Sequence, residues 1–215
     1  MIVMWLSISL IMAYLVGSIP FAFIYGKVFK KIDIRQHGSG NVGATNVLRV
    51  FGTKAGLIVL FLDIFKGFFP VCIMLMLIPL WSISIVGEGG YEWLPVLVGI
   101  FAILGHTFSM FLSFKGGKGV ATSAGVFLAL CPLNFLGAIL FFMLVVFLTK
   151  YVSLGSILAI IALMISNFMF FDLNIYVKIF TLIMAIFIIY THRTNIKRLL
   201  NGTENKISFK KKEKQ

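Results

Sequence analysis

Five stretches of this chain, residues 3–25, 54–80, 93–113, 151–171 and 174–191, are long, apolar and almost free of charge. A helix needs about 20 apolar residues to cross the hydrocarbon core of a bilayer, within a range of roughly 17–25. This feature constrains the fold most, because lipid offers no partner to a bare backbone amide and admits only helices or closed barrels. Runs of this length predict an all-α, polytopic membrane helix bundle. Composition agrees: 60% of the 215 residues are hydrophobic and only 12% are charged, about half the charged share of a soluble domain.

The thirty-residue stretch 120–149 is harder to read, because Cys131-Pro132-Leu133-Asn134 lies near its middle. Proline removes a ladder donor and disfavours helix in the residue before it. Charge decides between one crossing and two, since Lys and Arg collect on the cytoplasmic side. Lys27, Lys30, Lys31, Arg35, Arg49 and Lys54 put segment 26–54 inside; Glu88 and Glu92 put the next loop outside; Lys115 and Lys118 return inside. Splitting at Pro132 keeps Lys150, Lys197, Arg198 and Lys210 to Lys212 inside as well.

Seven transmembrane helices are therefore expected, with the N-terminus outside and the C-terminus cytoplasmic. They form a single domain over 1–205, followed by a basic, disordered tail over 206–215. The first run has no basic n-region or small-residue cleavage site, and reads as a retained span. A net charge of +12 fits anionic headgroups rather than nucleic acid, for which no soluble module is available. Cys72 and Cys131 lie in or beside apolar runs without metal-ligand spacing, and read as small apolar residues with a bridge left open.

Three polar segments interrupt this apolar chain, all on the cytoplasmic side by charge. His37 to Arg49 holds Gly38, Gly40 and Gly43 among Ser39, Asn41, Thr45 and Asn46. Glycines let successive amides turn toward one ligand. A solvated loop would need the glycines, but not the ordered hydrogen-bonders or the terminal Arg. Gly105 to Thr122 contains Lys115-Gly116-Gly117-Lys118-Gly119 directly before an apolar helix. Free amides and the positive dipole end at such a turn favour phosphate. This is no Walker A loop, because Gly119 follows Lys118 where Ser or Thr is required. In Thr191 to Glu204, His192, Asn195 and Leu199 share a face if the segment is helical, while Arg193, Lys197 and Arg198 suit any helix leaving a bilayer.

Other polar residues carry less weight. Asp63 and Lys66, three apart inside the second run, can neutralise each other, and either anchor packing or mark function. Asn134, Asn167, Asp172 and Asn174 fall near the expected outer face. His106 reads equally as an interhelical histidine or as a base.

On these residues the chain resembles the bacterial acyl-phosphate:glycerol-3-phosphate acyltransferase family. The strings that carry the likeness are Gly17-Ser18-Ile19-Pro20, Gly38 through Arg49, Gly105-His106 through Thr122, and His192 through Leu199, and the match covers nearly the whole chain. The resemblance implies seven transmembrane helices in the cytoplasmic membrane, a site at the cytoplasmic face and no cofactor. It implies transfer of a fatty acyl group from acyl phosphate to the 1-hydroxyl of sn-glycerol 3-phosphate. The products would be 1-acylglycerol 3-phosphate (lysophosphatidic acid) and phosphate, the first acylation of phospholipid synthesis. Neither acyl-CoA nor acyl carrier protein would serve as donor. The His-x4-Asp box of other acyltransferases is absent: five residues after His37, His106 and His192 come Val42, Phe111 and Lys197.

Acyl phosphate is already activated, so the site needs charge handling and alignment more than a covalent intermediate. Ser39, Arg49, His192 and Asn195 are expected to hold glycerol 3-phosphate. Lys115, with the amides of Gly116, Gly117 and Gly119, is expected to hold the acyl-phosphate headgroup. Lys115, Arg49, Ser39, His192 and Asn195 form the expected catalytic set; Asn41, Gly43, Thr45, Asn46, His106, Lys118 and Glu204 complete the binding set. The proton acceptor stays open among a phosphate oxygen, His192 and His106. An anion transporter would put polar groups near the midplane in both halves, and a partner-binding membrane subunit would leave the Ser/Asn/Gly strings unexplained.

Overall fold

The computed structural model describes residues 2–85 and 90–207. Its regular elements are all helical: α1 Ile2–Ser18, α2 Phe21–Phe29, α3 Ala44–Phe51, α4 Thr53–Ile85, α5 Leu94–Thr107, α6 Val120–Leu130, α7 Pro132–Thr149, α8 Val152–Met169, α9 Ile175–Thr191 and α10 Arg193–Leu200. Short 3-10 turns span Ile34–Gln36 and Met110–Leu112. Glu88 and Lys210 to Lys212, used above to assign sides, lie outside the described residues, as does the tail from 208. Lys206 and Ile207 are described, and the Ile207 amide donates to the Lys150 carbonyl (2.8 Å).

Apolar residues cover both faces of these helices, as expected for a bundle in lipid. Phe61, Phe65 and Phe69, each one turn apart on α4, are exposed and stack along its outer face. Between helices there is no hydrophobic drive in lipid, and close backbone approach takes its place. A Cβ on Gly105 would collide with the Tyr14 carbonyl and one on Gly17 with the Ala102 carbonyl, so α1 and α5 lie backbone to backbone. Gly125 against the Ile64 carbonyl and Gly67 against the Thr122 carbonyl do the same for α4 and α6. Phe127 and Phe180 meet at 5.0 Å in the core.

One expected span is bent, and the break expected at Pro132 is present. Residues 3–25 do not form one straight helix: the chain bends by 43° at Ile19-Pro20 and α2 runs on to Phe29. Pro20 supplies the physical reason, having no amide to continue the α1 ladder. The stretch 120–149 breaks at Cys131 (φ −147°), with Pro132 opening α7. By length and composition four apolar stretches can cross a membrane, Thr53–Ile78, Leu94–Leu112, Pro132–Thr149 and Val152–Met169, or six with the two bent pairs α1–α2 and α9–α10. The expected count of seven is not reached by length, because the 11 residues of α6 rise only about 16 Å against a core of about 30 Å.

At the end where α7 and α9 begin, Asn134 donates to Asn167 (2.7 Å) and Asn167 to Thr181 (2.9 Å), tying α7, α8 and α9 together. Asn174 caps α9 by accepting from the Val177 amide (2.9 Å). Cys72 and Cys131 are both free. The three polar segments lie at the opposite end of the bundle.

Candidate active site

The first segment folds around one side chain. Asn46 is 1% exposed; its Oδ1 accepts from the Ser39 amide (2.8 Å), and its Nδ2 donates to the carbonyls of His37 (3.0 Å) and Ile34 (3.3 Å). Asn46 therefore shapes the loop, with both of its polar atoms engaged by neighbouring backbone. The shaped loop turns Ser39, Gly40, Asn41 and Val42 into a cleft of about 360 Å³, closed on the other side by Lys115 and Gly116. Arg35 also lines this cleft. Its guanidinium is gripped by Asp33 (2.7 and 3.0 Å), which holds the Asp33 carboxyl well below the usual carboxylate range. Gly43 precedes α3, on which Thr45 is half-buried and Arg49 lies one turn further along.

In the second segment the glycine amides behave differently from expectation. The Gly116 amide donates to the Thr107 carbonyl (2.9 Å) and the Gly117 amide to the His106 carbonyl (3.1 Å). Both are spent within the loop, so neither can grip a headgroup while the loop keeps this shape. Gly119, at φ +84°, makes the left-handed turn that starts α6. His106 is buried, with Nδ1 3.7 Å from Asp63 Oδ1 and its ring against Gly117. It packs between Asp63 of α4 and Gly117, and is not among the residues lining the cleft. Lys115 is exposed at the cleft wall.

The third segment is helical, as α10, turned by 58° from α9 at His192. His192 Nδ1 lies 2.8 Å from the Ile188 carbonyl. A carbonyl only accepts, so Nδ1 carries the proton and Nε2 is the free acceptor. Burial, then the Lys118 charge, lowers this imidazole to about 4, so it is neutral at physiological pH. Asn195 accepts from the Lys118 ammonium and donates to Glu204 (2.7 Å). Glu204 also accepts from Arg198 (2.7 Å) and Ser153 (2.9 Å). Burial raises its pKa, but those hydrogen bonds outweigh burial and hold it below the usual range.

These contacts bring the three segments together. Arg49 reaches the third segment by donating to the Asn205 carbonyl (3.1 Å), while its buried Nε has no partner. Burial lowers Arg49, with Glu204 opposing. Burial likewise pulls Lys118 down to about 8, Glu204 opposing and Arg198 and Arg49 adding to the fall. Arg49, Lys118 and Arg198 thus share one carboxylate, a cationic excess suited to a phosphorylated ligand.

A model of the family described as glycerol-3-phosphate acyltransferase matches residues 7–202. The chain belongs to that family. A "Glycerol-3-phosphate acyltransferase 2" of Bacillus anthracis is 52% identical over 200 residues, spanning 93% of this chain and 98% of the relative. The glycerol-3-phosphate acyltransferase of Bacillus subtilis (strain 168) is 44% identical over 206 residues, spanning 96% of this chain and all of the relative. A crystal structure of PlsY (YgiH), an integral membrane glycerol 3-phosphate acyltransferase in its glycerol 3-phosphate form, superposes with a TM-score of 0.83 at 39% identity, covering 94% of this chain and 96% of that one.

In this acyltransferase chain the structure brings to the candidate site residues that sequence reasoning passed over. Arg35 was read only as a topology marker, although it stands four residues before Ser39. Ser153, at the start of α8, gave no signal, because its role depends on Glu204 arriving from more than fifty residues later. An apolar groove of about 190 Å³ also runs between α5 and α9, floored by Val96, Ile100, Ile179 and Ile183, with Trp93 and Tyr176 at its far end. Among the described residues no group of three or more His, Cys, Asp or Glu side chains could hold a metal ion.

Proposed function

We propose that the protein transfers a fatty acyl group from acyl phosphate to the 1-hydroxyl of sn-glycerol 3-phosphate, releasing phosphate and 1-acylglycerol 3-phosphate. The observation that carries this reading is the meeting of three cation-bearing segments at one end of the bundle: the first two wall a cleft through Ser39 and Lys115, and the third joins them through the Arg49–Asn205 and Lys118–Asn195 contacts. Both reactants carry phosphate, and this end supplies Lys115 at the cleft and Arg49, Lys118 and Arg198 around the one carboxylate of Glu204. Membership of the glycerol-3-phosphate acyltransferase family gives the acceptor. Acyl phosphate as donor rests on the absence of the His-x4-Asp box and on the cationic excess.

Arg49, His192 and Asn195, with Ser39, hold glycerol 3-phosphate; His192 Nε2 accepts a hydrogen bond from its glycerol hydroxyls. Lys115 and the free first-turn amides of α6 hold the acyl phosphate, in place of the spent amides of Gly116 and Gly117. The 1-hydroxyl oxygen attacks the acyl carbon, the bond from that carbon to the phosphate oxygen breaks, and the hydroxyl proton passes to a phosphate oxygen. An imidazole titrating at about 4 is a poor base at neutral pH, which favours this substrate-assisted route over His192 as base. The acyl chain follows the groove between α5 and α9. The chain crosses the cytoplasmic membrane seven times, with its N-terminus outside, its C-terminus and site inside, and the basic tail against anionic headgroups.

Purified protein in detergent, given acyl phosphate and glycerol 3-phosphate, is expected to release phosphate and form 1-acylglycerol 3-phosphate, with acyl-CoA inert as donor. Lys115→Ala should lose roughly 100-fold in turnover, the scale of about 3 kcal/mol of transition-state stabilisation. Activity with acyl-CoA alone would overturn the donor, and full activity of Lys115→Ala would remove Lys115 from the mechanism.

A further inference from the structure

One buried group of charges lies outside the chemistry just described. Asp63 and Lys66, on successive turns of α4, are 1% and 2% exposed and pair at 2.7 Å. Ionisable groups at membrane depth are costly and mark function by default. A pair that only neutralised itself would point nowhere else, yet this pair reaches in two directions. Lys66 Nζ donates to the Ile19 carbonyl (2.8 Å), which also accepts from the Phe21 amide (3.2 Å) at the α1–α2 break. Its ammonium also sits over the Phe21 ring, the first residue of α2. In the other direction, Asp63 Oδ1 lies 3.7 Å from His106 Nδ1, and the far side of that ring packs against Gly117.

Each direction leads to one wall of the cleft. From the α1–α2 break, α2 runs to the Gly26 carbonyl, which accepts from Ile32 (3.0 Å), and Ala22 packs with Ile34 and Val42 in one buried cluster beneath the Ser39 loop. From His106, whose carbonyl holds the Gly117 amide, the chain passes back to Gly116 and Lys115. We propose that Asp63, Lys66 and His106 form a positioning brace that sets the Ser39 wall and the Lys115 wall of the cleft in register without touching either substrate. Misalignment of reacting groups by about 1 Å can cost on the order of 100-fold in rate, so a brace at this depth governs how well two separately held phosphates line up. The inference rests on the cleft being the place where the two substrates meet.

The test uses the full chain in detergent and measures KM for each substrate alongside kcat. Replacing both charges, Asp63→Leu with Lys66→Met, removes the brace and leaves no orphan charge, a change that proteins often fold through. The expected result is a monodisperse protein whose KM for at least one substrate rises about 5-fold or more, with kcat/KM down about 10-fold. A smaller folded fraction would lower apparent kcat and leave KM alone. Lys66→Arg, which keeps a cationic donor to Ile19 and Asp63, should hold KM within about 2-fold of wild type. His106→Ala, which leaves the Asp63–Lys66 pair whole, should raise KM for acyl phosphate and decides the matter if the double variant fails to fold. Wild-type KM and kcat in His106→Ala, or in a folded double variant, would overturn the brace. Lys115→Ala runs beside them: its full activity would instead sink the reading of the cleft, leaving the brace without an object.

Discussion

Lys118 carries the site charge that responds most directly to pH. Its ammonium is held by Asn195 and lies in the field of Arg49, Arg198 and Glu204. With its pKa lowered from 10.5 to about 8, it is cationic below that pH and neutral above it. The KM for glycerol 3-phosphate is therefore expected to be flat up to about pH 8 and to climb beyond it, by at most tenfold per pH unit as the charged fraction falls. Lys118→Arg, permanently charged, should remove that climb; a KM–pH profile unchanged by the substitution would show that the ammonium is not felt by substrate. His192, neutral above about 4, should add no inflection near pH 6.5. An inflection there that disappears in His192→Asn would restore the imidazole as a titrating base. Asn46 shows what a sequence hides at this scale. It stands among Ser39, Asn41 and Thr45 with the same polarity, and only the folded loop reveals that it alone turns inward and spends every polar atom on its neighbours.

Among the elements, the α6–α7 corner is where sequence and structure bear most closely on each other. Pro132 and the basic Lys150 together called for a break, and the helix does stop at Cys131 and restart at Pro132. The short length of α6 was not legible, because hydropathy runs straight through Cys131 and cannot tell a half-length helix from a crossing. The same limit applied at Ile19-Pro20, where an unbroken apolar run hid a 43° bend. The polar loops, by contrast, were easy to find: Ser, Asn and Gly strings have no reason to occur in an apolar chain unless they do something. Their meeting was legible only as a shared side of the membrane. The corner itself can be tested. Leu133 is 73% exposed at the start of α7, in a chain whose two native cysteines are buried or half-buried. In intact cells, Leu133→Cys is expected to react with a membrane-impermeant maleimide from outside, if α6 and α7 are the two arms of a complete crossing. Labelling only after the cells are opened would make α6–α7 a re-entrant hairpin, and would remove one pair of crossings from the topology.

For the whole molecule, the site exists only when distant parts of the chain close on one another, and Glu204 is the closure. It gathers Ser153 from the start of α8, and Asn195 and Arg198 from α10, while its neighbour Asn205 receives Arg49 from α3. Without this carboxylate, Arg49, Lys118 and Arg198 would repel one another before any substrate arrived. Glu204→Ala should therefore lower the thermal stability of the purified protein by about 2 kcal/mol, the scale of losing hydrogen bonds to a charged group. The sign of the pH dependence follows from the direction of the shift. Because the folded state holds this carboxyl below its ordinary 4.5, its contribution is present in full above that pH and fades as acid protonates it in the folded protein. The gap in Tm between wild type and Glu204→Ala should be widest near neutrality and should narrow as pH falls below about 4.5. A gap that stays constant into acid would mean that Glu204 acts through its shape alone, and that the cations of the site are kept together by something other than its charge.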